Sequence, residues 1–279
     1  MKKNTEFAFR VLSTLLFIPL LVYSLFHAET FLFPVIISVA AVWGLVEFYS
    51  LSKKSGIQPI QILGYLAGIA ALLASTFYPH KAGGIWILIL WGILGIGFIY
   101  KMLKGESISQ PTLPSLASTL MGVCYVIYPF SLLIILQRIQ DGTWLMIWMI
   151  LITWACDTGA YLTGSMIGKH KLCPSISPGK TIEGVIGGVI LSLLTAAGLP
   201  RLFPATTGIS TWNMGALLGI GFLLTVIGIL GDLAESVLKR QAGVKDSGNT
   251  YTGHGGMLDI VDSLLFTVPV FYFLINFYL

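Results

Sequence analysis

Asp232-Leu-Ala-Glu235-Ser236-Val-Leu-Lys239-Arg240, then Lys245-Asp246, then His254-Gly-Gly-Met-Leu-Asp259-Ile-Val-Asp262-Ser263 is a short polar stretch set between two long apolar runs. Five of the chain's twelve acidic residues fall inside it: Asp232, Glu235, Asp246, Asp259 and Asp262. The flanking runs, residues 212–237 and 258–279, are each long enough to cross a bilayer. An acidic side chain at mid-membrane costs roughly 2.5–3.5 kcal/mol on insertion scales, so acids in such a place signal a partner or a task.

The rest of the chain gives these runs their setting. Of 279 residues, 56% are hydrophobic and only 10% are charged; the mean hydropathy is +0.87. A soluble domain carries about a quarter charged residues. There is too little polar surface here to cover a water-soluble globule, and no room for a large soluble domain. The expected fold is all-α, a polytopic membrane protein. The net charge of +4 is therefore no argument for a nucleic-acid partner, because in a membrane protein the position of the charges matters more than their sum.

Windows of about 20 residues predict nine spans, near 8–27, 30–51, 60–79, 84–102, 114–137, 143–166, 182–203, 212–237 and 258–279. With the N-terminus in the cytoplasm, 13 of the 16 Lys and Arg fall on the cytoplasmic side. Lys81, Arg138 and Arg201 fall outside. That asymmetry supports nine spans, with the C-terminus on the outer side. The run from Phe7 to Phe26 is too long for a signal-peptide core and reads as an uncleaved first span. Residues 1–140 hold spans 1–5, nearly free of ionisable groups except Glu47. Residues 141–279 hold spans 6–9 and the polar residues. Gly64-x-x-x-Gly68 permits close helix packing. Gly92, Gly95 and Gly97 lie inside an apolar span and make no dinucleotide loop. Cys124, Cys156 and Cys173 have neither metal nor redox spacing.

On a helix Asp232, Glu235, Ser236 and Lys239 share one face, as do Asp259 and Asp262. By the predicted topology both faces lie just below the cytoplasmic surface. Asp232, Asp259 and Asp262 together would repel one another unless a cation sits among them, and hard oxygen donors suit Mg²⁺. Taken singly, each pair is as well explained by a salt bridge or by a helix dipole; taken together, with the basic loop between them, they favour a site. That loop holds Lys239, Arg240, Lys245, Asp246 and a glycine-flanked His254. A second basic loop runs from Lys169 through Ser175, Ser177, Pro178 and Lys180 to Glu183. Ser177-Pro178 reads as an N-cap with Pro in the first turn, opening span 7 and placing Lys180 at a phosphate-binding helix N-terminus. Gly179-Lys180-Thr181 lacks the first glycine of a P-loop and is not one. Asp157 lies deeper in span 6. Acids for a divalent ion, ringed by cations at headgroup depth, fit phosphoryl-type transfer between a soluble polyanion and a lipid phosphate.

These residues resemble the phosphatidate cytidylyltransferase family, the CDP-diacylglycerol synthases. The resemblance is carried by Ser236, Lys239-Arg240, Lys245-Asp246, His254-Gly255-Gly256, Asp259 and Asp262-Ser263, and by Asp157 to Tyr161 with Ser177 to Gly184. It covers about the last 125 residues. The family has Arg where this chain has Ile260, and Pro where it has Thr252; the first change removes a fixed cation. The resemblance implies CTP and phosphatidate as substrates, with CDP-diacylglycerol and pyrophosphate as products. It implies Asp232, Asp259 and Asp262 at the metal and Lys180, Lys239, Arg240 and Lys245 on phosphates. Ser177 and His254 would be donors, and Asp246 and Asp157 would bind substrate. Mg²⁺ is the expected cofactor, with room for a second, monovalent or divalent, cation. Membrane lipids and a second copy in a homodimer are expected partners, and a bacterial inner membrane the location. The rival classes are a CTP-dependent kinase of polyprenol or phytol, which would release CDP, and an ion-coupled transporter, which needs acids at mid-membrane with access from both faces.

Overall fold

The structure, a computed structural model, describes residues 19–27, 30–104, 112–202, 208–248 and 255–278. It is nearly all helix. After α1, whose described residues are 19–26, come α2 (Leu32–Lys54), α3 (Gln61–Phe77), α4 (Ala82–Lys104), α5 (Thr112–Gly122) and α6 (Tyr128–Gln137). A wide π-helical turn, Val123–Ile127, joins α5 to α6. Then follow α7 (Gly142–Ile167), a two-stranded hairpin of β1 (Lys171–Cys173) and β2 (Ser177–Thr181), α8 (Ile182–Leu202), α9 (Met214–Gln241) and α10 (Met257–Tyr278).

Among the described residues seven helical segments are long and apolar enough to cross a membrane, with Thr112–Gln137 counted as one; α3, at 17 residues, is apolar but shorter. This is a multi-pass membrane protein. Each expected span from the second to the ninth coincides with a helix, while the first, 8–27, lies largely outside the described residues. Helices prevail because no water is available in the bilayer core to satisfy exposed backbone groups, so the backbone must satisfy itself. On α8 the outward residues Ile186, Ile190 and Leu194 recur every four positions and are all exposed, as expected of a lipid-facing stripe.

The helix before which Lys180 stands begins later than the sequence suggests. Ser177 and Pro178 are not a cap and first turn: they belong to β2, with Cys173 paired to Ser177 and Lys171 to Thr181. The N-cap is Thr181, whose Oγ1 accepts the Gly184 N–H at 3.1 Å. Lys180 is therefore the penultimate strand residue and not a first-turn residue of α8. Local pattern could not separate Ser177 from Thr181 as the cap, since both are hydroxyl residues ahead of the apolar run. Glu183 secures the same, open end of the hairpin. Its carboxylate accepts the backbone N–H groups of Lys169 and His170 and meets His170 Nδ1 at 2.6 Å.

The chain forms two compact units. One comprises the described residues up to Ile135 together with Leu238–Val261; the other comprises Leu136–Val237 and the described residues from Asp262 onward. In the first unit Tyr49 is fully buried, and its hydroxyl donates to the Thr119 carbonyl at 3.0 Å. Gly64 and Gly122 both face the Tyr49 ring, where an added Cβ would collide with it. Gly68 packs in the same way on Ile127. Gly64-x-x-x-Gly68 is thus a close-packing face. In the second unit α7 and α8 meet backbone to backbone. A Cβ on Gly159 would stand 2.7 Å from the Gly187 carbonyl oxygen, one on Gly184 2.8 Å from that of Ala160, and one on Gly188 2.8 Å from that of Cys156. Between helices in lipid there is little hydrophobic drive, so small residues that permit such approach are the main source of cohesion.

Candidate active site

Backbone contact between helices sets the acids of the second unit. On α9, a Cβ added to Gly231 would lie 2.8 Å from the carbonyl oxygen of Asp262 on α10. This approach puts Asp232, the next residue, beside Asp262. Asp232 and Asp157 both stand close enough to Asp262 for their charges to act on it. The α7–α8 contact brings in the remaining members. Lys180 Nζ lies 2.5 Å from Asp232 Oδ2, with both side chains about one quarter exposed. Lys180 also acts on the charge of Asp157. Ser236, one turn beyond Asp232 on α9, directs its hydroxyl to Asp232 Oδ1 at 3.5 Å. Asp157 and Asp232 thus share the surroundings of Asp262, and Lys180 pairs with Asp232. Glu235, on the same turn of α9, is fully buried.

In the first unit a second acidic group is arranged in the opposite way. Asp259 Oδ1 lies 2.6 Å from Lys239 Nζ, and both side chains are nearly buried, at 11% and 12% exposed. Asp259 Oδ2 accepts the Ser247 N–H at 2.9 Å and the Gly256 N–H at 2.6 Å, and stands 2.9 Å from Ser247 Oγ. Next to it is a carboxylate from far up the chain. Glu47, on α2, accepts the N–H groups of Met257 and Leu258, both at 2.9 Å, and lies 3.0 Å from Ser247 Oγ. The free N–H groups of the first turn of α10 are thereby capped by acids, the arrangement that a helix N-terminus favours. Gly255 has φ +86° and Gly256 abuts both Ser247 and Glu47, so the paired glycines are needed for this turn to form.

Of the residues expected to share a metal, Asp232 and Asp262 are neighbours. Asp259 is instead committed to Lys239, Ser247 and Gly256. Among the described residues no three His, Cys, Asp or Glu stand ready to enclose an ion. Arg240 is exposed, and its Nη1 donates to the Val244 carbonyl at 3.2 Å. Lys245 and Asp246 are exposed in the loop after α9, and Ser177 is half-buried on β2. His254 lies outside the described residues. Sequence reasoning missed Ser247 and did not give Glu47 a role. The available signal for Glu47 was its isolation as an acid within spans 1–5.

Comparison with known proteins shows the family. The sequence pattern of the cytidylyltransferase family matches residues 8–278. A phosphatidate cytidylyltransferase of Staphylococcus aureus is 35% identical over 237 residues, covering 85% of this chain and 88% of its own length. The phosphatidate cytidylyltransferase of Staphylococcus haemolyticus is 36% identical over 228 residues, covering 81% and 84%. Because the match spans nearly the whole chain and includes both acidic groups, this protein belongs to the cytidylyltransferase family.

Proposed function

We propose that this protein transfers a cytidylyl group from CTP to phosphatidate, giving CDP-diacylglycerol and pyrophosphate, at the cytoplasmic face of the cell membrane. The observation that carries this reading is the pairing of Lys180 with Asp232, next to the Gly231–Asp262 backbone contact, in a chain whose relatives bear the name phosphatidate cytidylyltransferase.

A phosphatidate oxygen forms the new bond to the α-phosphorus of CTP, and the bond from that phosphorus to the β-bridging oxygen breaks. The attacking phosphate is already anionic near neutral pH, so no strong base is required. The barrier is the meeting of two anions, and positioning and charge neutralisation lower it. Lys180 binds a phosphate oxygen, released from Asp232 as the nucleotide arrives. Lys239 does the same from Asp259, and Arg240 and Lys245 draw the polyanion toward the membrane surface. Asp232 and Asp262 would hold Mg²⁺, with Asp157 adding negative charge. The donor set fits Mg²⁺, which often takes only one or two protein carboxylates and completes its shell with water and substrate phosphates. When bound, Mg²⁺ would neutralise the triphosphate and the departing pyrophosphate.

Nine spans with a cytoplasmic N-terminus agree with this reading. In the first unit Lys53 and Lys101 line one hollow, at the shared end of α2 and α4, as the positive-inside bias requires. The test is product analysis with purified protein, phosphatidate, α-labelled CTP and Mg²⁺. Label in a chloroform-soluble product with equimolar pyrophosphate, both lost with EDTA, supports the proposal. Release of CDP in place of pyrophosphate would replace it with a lipid kinase.

A further inference from the structure

Glu47 sits about two turns before the end of the apolar helix α2, 185 residues before Asp232, and the transfer chemistry described above makes no use of it. It is nonetheless among the best-connected carboxylates in the described structure. Its side chain is buried at 6% exposure. Oε1 accepts Met257 N–H; Oε2 accepts Leu258 N–H and lies 3.0 Å from Ser247 Oγ. Ser247 Oγ is also 2.9 Å from Asp259 Oδ2. A hydroxyl has a single proton, so Ser247 can donate to only one of these carboxylates at a time. The two acids are therefore linked through one donor. Gly248 and Gly256 each lie so close to the Glu47 carboxylate that an added Cβ would meet it. The space is shaped around this side chain, and the segments that carry Asp259 and Ser247 are anchored on it.

We propose that Glu47 is a positioning residue for cytidylyl transfer. It fixes the first turn of α10 and the Ser247 segment, and through them holds Asp259 and Lys239 in working geometry. This proposal rests on the function proposed above. It assigns a specific task to the otherwise apolar first half of the chain. An amide at position 47 keeps the volume but brings an NH₂ group against N–H and O–H donors, so the cap fails with little change in packing.

The test compares wild type with Glu47→Gln in detergent, by kinetics per folded molecule and by hydrogen exchange at residues 255–259. We expect a folded protein of unchanged size, at least tenfold faster exchange at Met257 and Leu258, and at least a tenfold fall in kcat/KM for CTP. A purely structural role would lower the folded fraction and leave the kinetics of the folded molecules unchanged. Exchange unchanged at Met257 and Leu258, or turnover per folded molecule within twofold of wild type, overturns the proposal. Ser247→Ala, which keeps the Glu47 cap but breaks the link to Asp259, is the second variant. It should lower kcat/KM for CTP with slow exchange retained at Met257 and Leu258; unaltered kcat/KM overturns the proposal even where Glu47→Gln does not fold. Faster exchange is read without substrate, so a wild type that makes no CDP-diacylglycerol would defeat the functional reading while leaving the cap itself testable.

Discussion

The two acidic groups of this protein solve opposite problems. Around Asp259 the donors are plentiful: a lysine, two backbone N–H groups and a hydroxyl meet one carboxylate. Around Asp262 the balance differs: it accepts the N–H of Ser263, Asp157 and Asp232 share its surroundings, and Lys180 is paired to Asp232. A satisfied carboxylate holds structure in place. A group of carboxylates short of cations stores repulsion that an incoming cation relieves. The same residue type at positions three apart on one helix thus serves two ends, and its neighbours decide which.

That contrast can be broken by substitution, and the effects should fall in order. Asp232→Asn and Asp262→Asn should each lower kcat by about 10²–10³-fold, with melting temperature in detergent unchanged or raised, because repulsion is removed. A melting temperature that fell along with activity would mean that these acids are structural. Asp259→Asn should do the reverse. It leaves Lys239 buried without its carboxylate and should cost about 3–5 kcal/mol of stability, measured by denaturation, with activity lost as a consequence. Gly231→Val sharpens the account of how Asp232 and Asp262 are brought together. The added side chain has no room beside the Asp262 carbonyl, and overpacking of about 1–3 kcal/mol should appear as lower stability and a raised apparent Mg²⁺ requirement. The smallest effect should come from Ile260→Arg. Ile260 is 53% exposed, so stability should shift by less than about 0.5 kcal/mol, while the restored cation lowers the KM for CTP. A raised KM would show that this chain does not use a cation there.

Much of this was legible in advance, for physical reasons. Long apolar runs announce membrane helices because backbone groups in lipid leave few alternatives, and α2–α10 fall where hydropathy places them. Spacing put Asp232 with Ser236 and aligned Asp259 with Asp262 on one helix, since α-helical periodicity is local. What spacing could not supply was partners distant in sequence. Glu47 meets Met257 and Leu258 across more than 200 residues, and nothing in either segment names the other. Nor did local pattern distinguish Ser177 from Thr181 as the cap of α8; pairing with β1 decided that. The glycines of α7 and α8 were visible as composition, but their role as backbone contacts between the two helices emerges only in three dimensions.

The most direct test of the central claim is Mn²⁺ binding followed by electron paramagnetic resonance, with Mn²⁺ as a reporter for Mg²⁺, on wild type, Asp262→Asn and Asp259→Gln in the presence of CTP. The account predicts that wild type binds Mn²⁺, that Asp262→Asn loses most of that binding while remaining folded, and that Asp259→Gln loses stability at least as markedly as it loses metal. Undiminished Mn²⁺ binding by folded Asp262→Asn would contradict it.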